Sequence, residues 1–248
     1  MRSFLIAVAA VATFAAPAAA QRDPRVFAHV NFGVQNQTQA LTQNAEFTLY
    51  EERGTWETSH AIDSGRFFDV GGGVQILRNF SIGASYSART KHTRSATVTA
   101  SVPSPIFHDT FRNATGTVSG LTHEQQAVHV AAMFHVPVTV EFDVTLFGGP
   151  SFFTVRDQLV ESVAPAEVGG NFSTVNLSAI GVSSQRNTAT GFNVGLDARY
   201  MFVRNAGIGA MLRYSSASID LTPPTNTTGQ LQIDAGGLEI GAGLRFRF

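Results

Sequence analysis

The last residues of the chain alternate. Read back by twos from the end, Phe248, Phe246, Leu244, Ala242, Ile240 and Leu238 are apolar, while Arg247, Arg245, Gly243, Gly241 and Glu239 between them are charged or lack a side chain. A period of two predicts a strand with one apolar and one polar face. The pattern recurs at roughly residues 25–35, 67–77, 80–89, 127–136, 138–155, 191–203 and 207–215, which with 236–248 makes eight segments. The even positions run Val26-Ala28-Val30-Phe32-Val34 in the first, Val128-Val130-Ala132-Phe134-Val136 in the fourth and Phe192-Val194-Leu196-Ala198-Tyr200-Phe202 in the sixth, and none in any segment is charged. The odd positions include Asn31, Asp69, His129, His135, Glu141, Asp143, Asp197, Arg199, Arg213 and Glu239. A slip of one residue would put charges on the apolar face, so the pattern fixes the register. Leu231, Ile233 and Ala235 alternate on the opposite parity, which predicts a bulge at Gly236-Gly237.

The connections alternate short and long. Arg78-Asn79, the neighbourhood of Pro137 and Arg204-Asn205-Ala206 are tight turns, while about 36–66, 90–126, 156–190 and 216–235 are long. Connections of that length are uncommon in a compact soluble domain. Their weakly alternating stretches, 46–52 and 96–102, predict hairpins that extend the strands, with a ten-stranded arrangement as the alternative. If the first strand rises and the directions alternate, Phe32, Phe68, Tyr86, Phe152, Phe192 and Tyr214 fall near one end of the strands. Phe80, Phe134, Tyr200, Phe202, Phe246 and Phe248 fall near the other. Two aromatic belts around an apolar band are expected where strands cross a bilayer.

Composition agrees. Charged residues are 14% of the 248, well below the soluble average of about 25%. Residues 1–20 predict a secretory signal: Arg2, an apolar run from Phe4 to Ala16 broken by Thr13, then Ala18-Ala19-Ala20. That run is shorter than the roughly 20 residues of a spanning helix, and no later stretch is long enough, so insertion would be through strands. Removing residues 1–20 takes away Arg2 and moves the formal net charge from −1 to −2, which argues against a nucleic-acid partner. There is no cysteine, hence no disulfide, thiolate metal site or lipid-anchored cysteine.

With this signal, these eight segments and the tail Gly241-Ala242-Gly243-Leu244-Arg245-Phe246-Arg247-Phe248, the chain resembles the small eight-stranded outer-membrane barrels of the opacity-protein and outer-membrane-protein-A barrel type. The resemblance implies an all-β, antiparallel up-and-down transmembrane β-barrel over residues 21–248, in the bacterial outer membrane, with short periplasmic turns and four long extracellular loops. It implies that Leu244, Phe246 and Phe248 are read by the barrel-assembly machinery, and that outer-membrane lipid and lipopolysaccharide are neighbours. It leaves any extracellular partner unnamed. A soluble exported β-sandwich is the fold alternative.

Eight strands enclose an interior that side chains fill. Charges there must pair or meet water, so Asp69, Glu141, Asp143, Asp197, Arg199, Arg213, Glu239, Arg245 and Arg247 predict a lumen charge network, with Arg213 beside both Asp197 and Glu239. A plug and a gated pore are both compatible with it. His129 and His135, six residues apart on one strand, are about 20 Å apart, too far to share a metal, and no cofactor is predicted. The sequence-adjacent pairs Ser59-His60 and His92 with Ser95 are the nearest approach to a lipid-modifying site and have no acid at a telling spacing, so no enzyme is predicted. Gly71-Gly72-Gly73 and Gly148-Gly149 lack the helix and lysine of a phosphate loop and predict close packing in the wall. Trp56, in the first long loop, is either a contact point for a partner or packed within its loop. The expected role is structural or surface-interacting.

Overall fold

The computed structural model describes residues 26–37, 39–62, 64–89, 92–170, 172–221 and 231–248; the signal predicted for residues 1–20 lies outside these. The described residues form eleven strands: β1 (Val26–Asn36), β2 (Gln39–Leu49), β3 (Glu52–Ile62), β4 (Gly65–Leu77), β5 (Phe80–Arg89), β6 (His92–Pro103), β7 (Phe111–Pro137), β8 (Phe142–Val168), β9 (Thr174–Val203), β10 (Ala206–Leu221) and β11 (Leu231–Arg247). Neighbours pair antiparallel, and β1, β4, β5, β7, β8, β9, β10 and β11 close a ring of eight through the β7–β8 and β1–β11 ladders. The ring closes between β1 and the end of the chain, where the Phe248 N–H donates to the Val26 carbonyl at 2.8 Å. β2, β3 and β6 prolong β1, β4 and β5 beyond one end of the ring, so the long connections are extended hairpins, not additional barrel strands.

The longest strands far exceed the thickness of a membrane. β9 has 30 residues, about 100 Å of chain, whereas about 10 tilted residues cross a bilayer. The lower part of each line is inside-out: the outward even positions are apolar and exposed (Phe32, Val74, Ile82, Val130, Leu196, Ile240), while the inward odd positions are polar and buried (Asn31, Asp69, Ser81, His129, Asn193, Arg213, Glu239). At one end the outward aromatics meet, with Phe32 5.1 Å from Phe68 and Phe192 6.1 Å from Tyr214; at the other, Tyr200 lies 5.4 Å from Phe202. These are the two belts.

Just beyond the Phe152–Phe192 belt the pattern inverts with no change of parity; on that side of the belt register shifts come only higher, as at Arg94/Ser95 and Val160/Ser162. On β8 the inward sequence passes from Thr145 and Ser151 to Phe153, Val155 and Leu159, all buried, while the outward side passes from Phe152 to Thr154 and Arg156. The extension is therefore a head with an ordinary apolar core. Its lower layer joins Leu41, Phe153, Val155, Leu159, Ala217, Ile219, Ile233 and Ala235. The β7–β8 ladder ends at His123–Asp157. Above it the sheet β2-β3-β6-β7 packs on the β8–β9 hairpin through Trp56, Val98, Ala100, Val102, Ala114, Val160 and Val175.

The inversion corrects one expectation. Ile233 and Ala235 share the inward face with Glu239, and β11 stays in step with β10 through Ser216–Gly236 and Ser215–Gly237, so no bulge separates them. Gly236 and Gly237 instead take left-handed φ values of 104° and 115°, which only glycine adopts without strain. The fifth strand also starts later than its alternation predicts. Val138 to Glu141 is an exposed turn closed by two N–H bonds to the Phe142 carbonyl.

Candidate functional site

The lumen of the ring is filled from all sides. Phe27, Phe67 and Phe147 project inward, and side chains on Gly73, Gly241 and Gly195 would run into their rings. Inward glycines thus alternate with large side chains, the arrangement a narrow barrel requires. Between these side chains lies a cavity of about 50 Å³ bordered by His29, Ser85, His129, Asp197 and Arg213, room for a few water molecules.

The inward charges are paired into a network. Arg213, 2% exposed, donates from Nε to Glu239 Oε2 at 2.5 Å and from Nη1 to Asp69 Oδ2 at 3.0 Å and Ser85 Oγ at 3.1 Å. Asp69 also accepts from Asn31 Nδ2 at 3.0 Å and lies 3.0 Å from His29 Nε2. Arg245 forms an ion pair with Asp197 and donates to Asn31 Oδ1 at 2.6 Å. Asp143 takes Arg199 and Arg247 together, and Arg199 lies 6.0 Å from the Phe27 ring. The histidines sit in matched clamps of hydroxyls: His129 between Ser87 and Ser151, His135 between Ser81 and Thr145. Both are polar fillers, and among the described residues no group of three potential ligands is placed to hold a metal.

Two of the expected placements are corrected. Glu141 lies in the exposed turn rather than the lumen, because β8 begins only at Phe142. Asp197 does not meet Arg213. The β9–β10 register shifts between Ala206 and Gly207, which sets Arg213 opposite Gly195 and Asp197 opposite Met211. Arg245 takes Asp197 instead, crossing β10 over Gly209, where a side chain would collide with its guanidinium. Asp69, Asp143, Asp197, Arg199, Arg213, Glu239, Arg245 and Arg247 remain as four carboxylates and four guanidiniums in ion pairs.

Sequence reading missed the weak point of the wall. Pro150 lies inside β8 and carries no N–H, and the β7–β8 ladder skips from His129–Ser151 to Ala132–Gly148. Asn193 spans the break from β9, its Nδ2 lying 3.0 Å from the Gly149 carbonyl, 3.1 Å from that of Pro150 and 2.8 Å from Ser151 Oγ. In the head, Asp157 is fully buried against Arg94, with His123 Nδ1 3.6 Å away. Burial alone raises such a carboxyl, but His123 and Arg94 outweigh it and hold Asp157 below the ordinary carboxylate value. Trp56, 3% exposed, is packed within the head core. The side chains of His60 and His92 lie outside the described residues.

Among known families, the model described as an outer membrane protein beta-barrel domain matches residues 6–246. No curated protein matches the chain. Solved structures of similar fold include the outer membrane protein OprG from Pseudomonas aeruginosa, 12% identical over 92% of this chain and 97% of that one, TM-score 0.45. They also include Neisserial surface protein A, 12% identical over 90% and 97%, TM-score 0.42. The outer membrane protease OmpT from Escherichia coli is 10% identical over 91% and 97%, TM-score 0.44.

Proposed function

Because the chain belongs to the outer membrane protein beta-barrel domain family, and so resides in the bacterial outer membrane, we propose that its work is done by the head, as a structural or surface-interacting element held outside the cell by the barrel. One observation carries this reading: at the Phe152–Phe192 belt the inward face turns from polar to largely apolar, and the described residues above it pack into two apolar clusters under a polar surface. A body with its own core presents a fixed surface, where flexible loops would not. Leu244, Phe246 and Phe248 are our candidates for the segment read by the assembly machinery. The lumen, with its described charges paired and little free volume, supports a plug.

The test is single-channel recording in a planar bilayer with insertion verified in the same sample. A plugged barrel stays silent, and exchanging the head for short turns abolishes surface binding without opening a pore. Discrete steps that change in Arg213→Gln or Glu239→Gln would put the pore reading first, since Arg213 bridges two carboxylates and has an alternative partner if one is lost. Orientation is read separately: Thr99→Cys, on an exposed position of β6, should react with a membrane-impermeant maleimide on intact cells, because the chain has no native cysteine.

A further inference from the structure

Directly above the belt, on the outward face, two arginines face each other. Arg156 of β8 and Arg186 of β9 are direct cross-strand partners. Like charges in that position destabilise a ladder, and a sequence spends that cost where an anion offsets it. Glu124 of β7 is the next residue in the row; its carboxylate reaches Arg156 at 3.9 Å, a loose contact between side chains 52% and 30% exposed. Among the described residues Arg186 has no ion pair. The row below is Gln126–Thr154–Thr188, neutral and hydrogen-bonding, and the row below that is Val128–Phe152–Thr190, where the apolar band begins. Glu124, Gln126, Thr154, Arg156 and Arg186 line a shallow open concavity.

Height selects the anion. Arg156 stands four residues beyond Phe152, about 13 Å along the strand and roughly 10 Å above the apolar band after tilt. That is the headgroup layer, and a guanidinium reaches down from it while its stem lies on the wall. Two guanidiniums a strand apart suit a phosphate, which each can approach with paired N–H donors. We propose that Arg156 and Arg186 clamp a phosphate of an outer-leaflet glycolipid headgroup, with Thr154 and Gln126 as supporting donors and Glu124 limiting the net charge. The inference rests on the outward orientation of the head only for which leaflet supplies the lipid.

The purified barrel in neutral detergent tests it. Bisphosphorylated lipid A, its fully dephosphorylated form and inorganic phosphate are titrated against the wild type, Arg186→Gln, the Arg156→Gln/Arg186→Gln double variant and Arg53→Gln, which changes an arginine exposed near the far tip of the head. Phosphorylated lipid A should bind the wild type and Arg53→Gln alike, at least tenfold more weakly the double variant, and equally weakly the wild type once dephosphorylated. Without lipid, Arg186→Gln should melt no lower than the wild type, since a repulsion is removed. With lipid A it should lose the rise in Tm that the wild type shows. A mere structural role predicts a lower Tm in both conditions. Equal binding by wild type and double variant overturns the clamp, and full displacement of lipid A by millimolar phosphate overturns the lipid assignment. A failed maleimide reaction at Thr99→Cys overturns the outward orientation and with it the choice of leaflet, while the binding and melting results still decide the clamp.

Discussion

Arg213 holds two carboxylates, Asp69 and Glu239, in a place without bulk water. Removing one partner of a buried pair costs about 3–5 kcal/mol, because a charge is stranded. Arg213→Ala strands two, so its unfolding free energy in lipid vesicles should fall by at least that much. Restoring neutrality with Asp69→Asn and Glu239→Gln in the same chain should recover part of the loss. Asp157 gives the pH dependence of the head. Its folded pKa is depressed, so its contribution is present above the unfolded value of about 3.9 and is lost as pH falls through the folded one. Hydrogen exchange at the top of the β7–β8 ladder should therefore accelerate in acid below about pH 4 while the ring amides stay protected, and Asp157→Asn should remove that acid step. At this scale alternation told which side chains face inward, and little about whom they meet. Asp197 finds Arg245 because of a register shift and a glycine on the strand between them, features of stagger that no single segment contains.

Within β8 and β9, a proline and an asparagine act as a unit. Asn193→Ala removes the side-chain donor shared by the carbonyls of Gly149 and Pro150, a loss of about 1–3 kcal/mol. Pro150→Ala supplies the missing N–H toward β7 and should stabilise the wall. Measured as a double-mutant cycle by denaturant unfolding, the asparagine should matter less once the proline is gone. Most strands of the ring were legible because a barrel wall exposes one face to hydrocarbon, and the constraint acts on every second residue. The head strands were harder to read. Their inward face is apolar, as in a soluble sheet, so Leu231, Ile233 and Ala235 suggested a change of parity where there is only a change of solvent. Trp56 was ambiguous for the same reason: a lone aromatic in a polar stretch has no period to place it.

Taken whole, the molecule is two bodies of opposite polarity on one set of strands, and its single Trp lies in only one of them. Trp56 fluorescence therefore reports the head, while far-UV circular dichroism is dominated by both. Trp56→Ala should cost about 3–5 kcal/mol of head stability, and in urea its head transition should precede loss of the ring. With the head outside, as proposed, the inverted inner face also slows departure. A strand pair carried across the membrane takes with it Phe153, Val155 and Leu159, which are covered only in the assembled head. Once across, those side chains collapse together and their burial must be undone before any hairpin can retreat. The head is in this sense a ratchet pawl, setting the rate at which the barrel leaves a membrane more than the equilibrium of the barrel itself.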